Sequence, residues 1–107
     1  MRQLDLETVS FDANGLVAVI CQHAKTNKVL MLGYATKETL AETVELGKMV
    51  FYSRSRATRW LKGESSGNFL NVVSLHSDCD SDAVLAMVLP DGPTCHTGAE
   101  SCFEEIK

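Results

Sequence analysis

A chain of 107 residues, 45% of them hydrophobic, has the length of one domain and an apolar content that argues against disorder. Its formal net charge of −4 argues against a general nucleic-acid binder, whose footprint is basic. No apolar run approaches the length that crosses a bilayer, and Met1 to Glu7 carries early acids and no apolar core, so no membrane partner and no secretory signal are expected and the expected location is the cytoplasm.

In chain order, Asn14-Gly15 is a turn signal, and Leu16 to Cys21 after it reads as a buried strand. Thr26-Asn27-Lys28 separates it from Val29-Leu30-Met31-Leu32, and two apolar runs with a short polar link predict a hairpin. Thr36 is a candidate N-cap for a helix over residues 37–46. Leu40 and Val44 would form its buried stripe, with Glu38, Glu42 and Glu45 outside and Gly47 as the stop. Met49 to Tyr52 reads as a strand leading into Ser53-Arg54-Ser55-Arg56, and residues 57–68 as a polar, glycine-bearing loop. Further strands are expected around 69–75 and 83–89, then a firm turn at Pro90-Asp91-Gly92-Pro93 and a short tail. The expected class is α+β, mostly β: one small strand-rich domain over residues 1–107 with one main helix.

Charge is unevenly placed. Arg54, Arg56, Arg59 and Lys62 lie within nine residues that hold no acid, which suits a receptor for a small anion. Arg54 and Arg56 alternate and could project together toward a phosphate, with Ser53, Ser55, Ser65 and Ser66 as further donors. An exposed edge strand protected by charge is the competing reading. Trp60 is either a stacking surface for a base or a core anchor.

Cys79, Cys95 and Cys102 could supply three thiolates to one zinc, leaving a position for water as catalytic sites do. Zinc so bound would lower the pKa of that water toward neutrality. A structural site closed by Cys21 or a histidine is the alternative, although Cys21 lies in an apolar strand and reads more simply as a buried small hydrophobe. Asp78, Asp80 and Asp82 also alternate. Extended, they would share one face at about 6–7 Å spacing and invite a hard cation such as Mg²⁺; a solvated acidic turn would look the same. Cys79 would then face the other way, so the segment must kink or another part of the structure must cover that face. His96, next to Cys95, is the candidate general acid/base. His76 shares the Asp78 alternation and is either a neighbour of the cation or a surface residue, and His23 is assigned no chemistry.

Ser53-Arg54-Ser55-Arg56, Trp60-Leu61-Lys62-Gly63-Glu64-Ser65-Ser66-Gly67-Asn68, Asp78-Cys79-Asp80-Ser81-Asp82, Cys95-His96-Thr97-Gly98 and Ser101-Cys102-Phe103 occur in this order. With Val29 to Leu32, the set resembles phosphoribosyl-AMP cyclohydrolases over about residues 15–103. The resemblance implies hydrolysis of 1-(5-phosphoribosyl)-AMP: water adds at C6 of the adenine and the N1–C6 bond breaks, giving the formimino carboxamide ribotide of histidine biosynthesis. It implies zinc on Cys79, Cys95 and Cys102, magnesium on Asp78, Asp80 and Asp82, and an intertwined cytoplasmic homodimer with a mostly β fold. Substrate contacts are expected at Arg54, Arg56, Trp60, Lys62, Glu64, Ser65 and Ser66. In a dimer, a second copy's tail carrying Cys95 and Cys102 could complete the zinc site begun by Cys79.

Two departures from the family pattern stand out. Gly33-Tyr34-Ala35-Thr36 replaces Ala-Tyr-Met-Asn, and Leu75-His76-Ser77 precedes Asp78 where an arginine is common. Neither removes a metal ligand; contacts near Tyr34 and His76 are where substrate binding is expected to differ. Some relatives add a pyrophosphohydrolase domain after this one, for which the sequence has no room, so that preceding step is expected of another protein. The alternative function is a non-enzymatic zinc-binding interaction module, which requires a fourth protein ligand. A vicinal-thiol redox protein is disfavoured because no Cys-x-x-Cys occurs.

Overall fold

The computed structural model describes residues 5–107; Met1 to Leu4, part of the N-terminal stretch considered above, lie outside the described residues. After a 3-10 turn at Leu6–Thr8, the Asp12 carboxylate accepts from the backbone of Asn14 and Leu16 at 2.8 and 2.9 Å. That turn launches strand β1, Val17–His23, whose Val17, Val19 and Cys21 are buried in strict alternation. Strand β2, Val29–Ala35, returns antiparallel to it, as the two apolar runs predict. His23 Nδ1 accepts from Lys25 N at 3.1 Å inside the connecting turn, which is a structural use for that imidazole.

Helix α1, Lys37–Leu46, starts at Thr36, where the Thr36 and Thr39 hydroxyls satisfy each other's backbone N–H groups, and ends at Gly47 in the left-handed region at φ 72°. Its buried face is Thr39, Leu40 and Thr43 rather than the expected Leu40 and Val44; Val44 is half-buried. The difference has a polar cause. The Thr43 hydroxyl accepts from Val50 N at 2.9 Å and donates to Thr39 O at 3.0 Å, so the helix turns that face toward strand β3, Val50–Ser53.

Residues 57–68 are not all loop. Thr58–Leu61 forms strand β4, paired antiparallel with β3 from Val50↔Leu61 to Ser53↔Thr58. The hairpin turns through Arg54–Ala57, with Ser53 Oγ accepting from Arg56 N at 3.3 Å and Ala57 at φ 51°. Arg54 and Arg56 therefore sit on a turn, not at alternate positions of a strand.

Strands β5, Leu70–Ser77, and β6, Ala83–Pro90, are antiparallel and complete a four-stranded sheet in the order β2-β1-β6-β5. The central pair, β1 and β6, is parallel. Met49 N to Leu70 O at 3.0 Å and Val72 N to Gly47 O at 2.8 Å tie the small β3–β4 sheet to β5. Phe51, Leu30, Leu40, Met49 and Leu70 fill the core between helix and sheets. The family departure at Gly33 has its reason here: a Cβ on Gly33 would come within 2.7 Å of the buried Phe51 ring. The fold is the expected single α+β domain, mostly β. Among the described residues no helix is long and apolar enough to cross a membrane.

Candidate active site

The connection between β5 and β6 carries the acidic cluster. Of the two readings left open, extended segment or acidic turn, it is a turn: Asp78 accepts from Asp82 N at 3.1 Å and Ala83 N at 3.3 Å, and Ser81 is left-handed at φ 63°. The kink closes the carboxylates up, and one oxygen from each of Asp78, Asp80 and Asp82 lies within 4.8 Å of the others. Asp80 and Asp82 share a hydrogen bond that holds Asp80 below the ordinary carboxylate value. The same bond, with desolvation and the charges of Asp80 and Asp78, pushes Asp82 up to about 6. Cys79 is exposed on this turn. His76 is outside the cluster; its ring bonds Ser74 Oγ at 2.9 Å on an exposed stretch of β5, which favours the surface reading.

The other cysteines sit on the tail beyond β6. Cys95 N to Ala99 O and Gly98 N to Cys95 O, both 3.0 Å, coil residues 95–99 into a tight loop. Ser101 Oγ to Val29 O at 2.8 Å and Cys102 N to Leu30 O at 2.7 Å then fasten the tail to β2. The loop brings Cys95 and Cys102 close enough for each to influence the other's ionisation. The Thr97 hydroxyl, donating to Cys95 Sγ at 3.1 Å, holds Cys95 below the usual thiol range, whereas burial pushes Cys102 up. Cys21, in the sheet beneath, is pushed up to about 12 by burial. Lys62 is 7% exposed, and its ammonium lies close enough to oppose the rise at both Cys21 and Cys102.

Cys79 does not join this pair within one chain. Its turn lies just before Ala83, level with Ala18 of β1, while Leu30, which holds Cys102, lies level with Cys21 and Gln22. Three residues along the strand and two strand spacings across make about 14 Å even before the turn's own extension. Among the described residues, the aspartates form the one group of three whose ligand atoms meet.

Beside the cysteine loop is a cavity of about 430 Å³ lined by Arg56, Trp60, Lys62, Ser65, Ser66, Cys95 and His96, together with Gly63, Asn68, Pro93 and Gly98. Half of the expected site residues meet here. Trp60 packs on Phe51 with ring centroids 5.7 Å apart, as the anchor reading has it, and it also walls the cavity. Glu64 faces an adjoining cavity of about 380 Å³ with Ser53, Ser55 and Arg56. Arg54 does not project with Arg56. The hairpin turn sends it to a third cavity, of about 370 Å³, with Asn14, Thr36 and Tyr52, and its guanidinium stacks 3.9 Å from the Tyr34 ring centre. Arg59 is occupied by Glu42, with Nε–Oε1 and Nη2–Oε2 both 2.7 Å.

The PRA-CH family, phosphoribosyl-AMP cyclohydrolase, matches residues 31–104. The chain belongs to this family. It is similar to the histidine biosynthesis bifunctional protein HisIE of Shigella flexneri and of Escherichia coli (strain K12), each 53% identical over 102 residues, which is 95% of this chain and 48% of the relative. The HisIE of Staphylococcus epidermidis (strain ATCC 12228) is 55% identical over 91 residues, 85% of this chain and 43% of the relative. The chain spans about half the length of the curated relatives it matches. Sequence reasoning did not single out Gly63, Asn68, Pro93 or Gly98 as cavity residues. The available signal was their place inside, or two residues before, the motifs it did read.

Proposed function

We propose that this chain hydrolyses the N1–C6 bond of 1-(5-phosphoribosyl)-AMP in histidine biosynthesis, in the cytoplasm, as a homodimer. The observation that carries the reading is the cavity that gathers cations, hydroxyls and an aromatic wall against Cys95 and His96. Arg56, Lys62, Ser65 and Ser66 suit a phosphate, and Trp60 suits the face of a purine. The substrate's two phosphates match two separate arginines, Arg56 in this cavity and Arg54 in its own.

Thiolates are soft donors that suit zinc, and carboxylates are hard donors that suit magnesium. The aspartate cluster fits Mg²⁺ on Asp78, Asp80 and Asp82. For zinc, one chain offers Cys95 and Cys102 together and Cys79 elsewhere, so the donor set fits if Cys79 comes from a second copy. Bound zinc supplies a Lewis acid that makes hydroxide available near neutral pH. Trp60 holds the purine flat, and the cationic wall fixes a phosphoribosyl arm. As C6 gains oxygen, N1 leaves with the electron pair of the N1–C6 bond and needs a proton. The exposed imidazole of His96 moves that proton to N1.

The test is to incubate the purified, zinc- and magnesium-loaded chain with phosphoribosyl-AMP and follow the ultraviolet change as the purine opens. No spectral change at any enzyme concentration would refute the assignment.

A further inference from the structure

We propose that the Asn68 side chain reads the N6/N7 edge of the purine, a specificity contact that rests on the ring-opening reading above. Asn68 closes the glycine-bearing segment after β4 and lines the cavity together with Lys62, Cys95 and His96. Its backbone N–H is taken by Ser66 Oγ at 3.2 Å, while its carboxamide makes no hydrogen bond among the described residues. The half-buried amide keeps its polar atoms within reach of the cavity solvent, so a ligand or a water can take them up.

Two glycines bring other parts of the chain close to Asn68. Gly63, at φ +96°, lets the chain pass so close that a Cβ there would lie 2.6 Å from Phe69 N and 2.7 Å from the Asn68 carbonyl carbon. Gly92 lies directly against the amide, and a Cβ on it would collide with Asn68 Oδ1. Gly63 thus packs on the Asn68 backbone and Gly92 on its amide, with Oδ1 nearest, which keeps the amide from swinging further toward Gly92.

The chemistry of the substrate decides which atoms the amide meets. N1 of the purine carries the second ribosyl arm, so the edge at N1 is blocked. The reacting C6 has to face His96 and Cys95, which line the same cavity as Asn68. The free hydrogen-bonding edge beside C6 is then the exocyclic N6 and the ring N7. A carboxamide matches it in pairs: N6–H donates to Oδ1, and Nδ2–H donates to N7.

The experiment compares phosphoribosyl-AMP with its 7-deaza analogue, which lacks the N7 acceptor, on the metal-loaded full chain, on Asn68→Ala and on Asn68→Asp. The aspartate keeps the side-chain shape over Gly92 but removes the donor, so a loss common to both variants is not a failure to fold. Wild type should show a KM about tenfold higher for the analogue. Asn68→Ala should treat the two substrates alike and Asn68→Asp, whose carboxylate oxygen would face the N7 lone pair, should lose the preference for phosphoribosyl-AMP, with KM for phosphoribosyl-AMP raised more than kcat is lowered in both. Wild-type indifference to N7, or the wild-type ratio surviving in both variants, overturns the proposal. If wild type opens neither ring, the ring-opening reading has failed by itself. Calorimetric binding of AMP and 7-deaza-AMP to the same three proteins then reads the amide with the same two outcomes.

Discussion

Each cysteine has a different environment, and the differences make separable expectations. Cys21 is fully buried in β1 with its thiol pushed up to about 12, so it should resist a thiol reagent until the chain unfolds. Cys79, Cys95 and Cys102 in metal-free protein should react promptly, Cys95 fastest because Thr97 favours its thiolate. Serine at 79, 95 or 102 should each abolish zinc binding and activity. Cys21→Ser should keep both while costing about 1–3 kcal/mol for a hydroxyl in the core. Elemental analysis decides it: full zinc in Cys102→Ser would remove that residue from the ligand set. His96→Ala should lower kcat by about 10²–10⁴-fold, since proton transfer belongs to the chemical step. Arg54→Ala should raise KM more than it lowers kcat, because a phosphate contact is made before and during reaction alike. An unchanged kcat across pH in His96→Ala would remove that histidine from the chemistry.

The elements that depend on local signals were legible in the sequence. The β1–β2 hairpin and the Thr36-capped helix stand where turn residues and periodicity put them. Strand β4 was not legible, because Thr58–Leu61 is four residues long and sits among cations. The turn before it is left-handed at Ala57, where no glycine or asparagine announces it. The parallel β1–β6 pairing joins strands some 65 residues apart, and no local pattern encodes such a contact. The Asp80–Asp82 arrangement was half legible: the spacing pointed to one shared face, while the turn achieves the convergence by a kink. Helix α1 and β4 are further joined by Glu42 and Arg59, and the guanidinium's hydrogen bonds hold Glu42 below its ordinary value. The sign follows from that lowered value. The pair's contribution is present above the unfolded glutamate's pKa, about 4.3, and is lost as pH falls through the lower folded value. Glu42→Gln should therefore lower the Tm at pH 7, and the loss should shrink as the pH is taken down through the acid range; a loss independent of pH would mean that charge is not what the pair contributes.

At the scale of the whole molecule, the residues proposed to hold metal are divided. The sheet carries Cys79 and the aspartates on a turn at one end, while the tail fastened at Leu30 carries Cys95 and Cys102. A zinc site of three thiolates then calls for two copies of the chain. Coexpression of Cys79→Ser with Cys102→Ser, each inactive alone, tests this division most directly. In a mixed dimer one site collects both lesions and the other collects none. Random pairing makes half of all dimers mixed, so about one quarter of the wild-type site number should open phosphoribosyl-AMP and hold zinc. Verified mixed dimers with neither activity nor zinc above the single variants would contradict a site shared between chains.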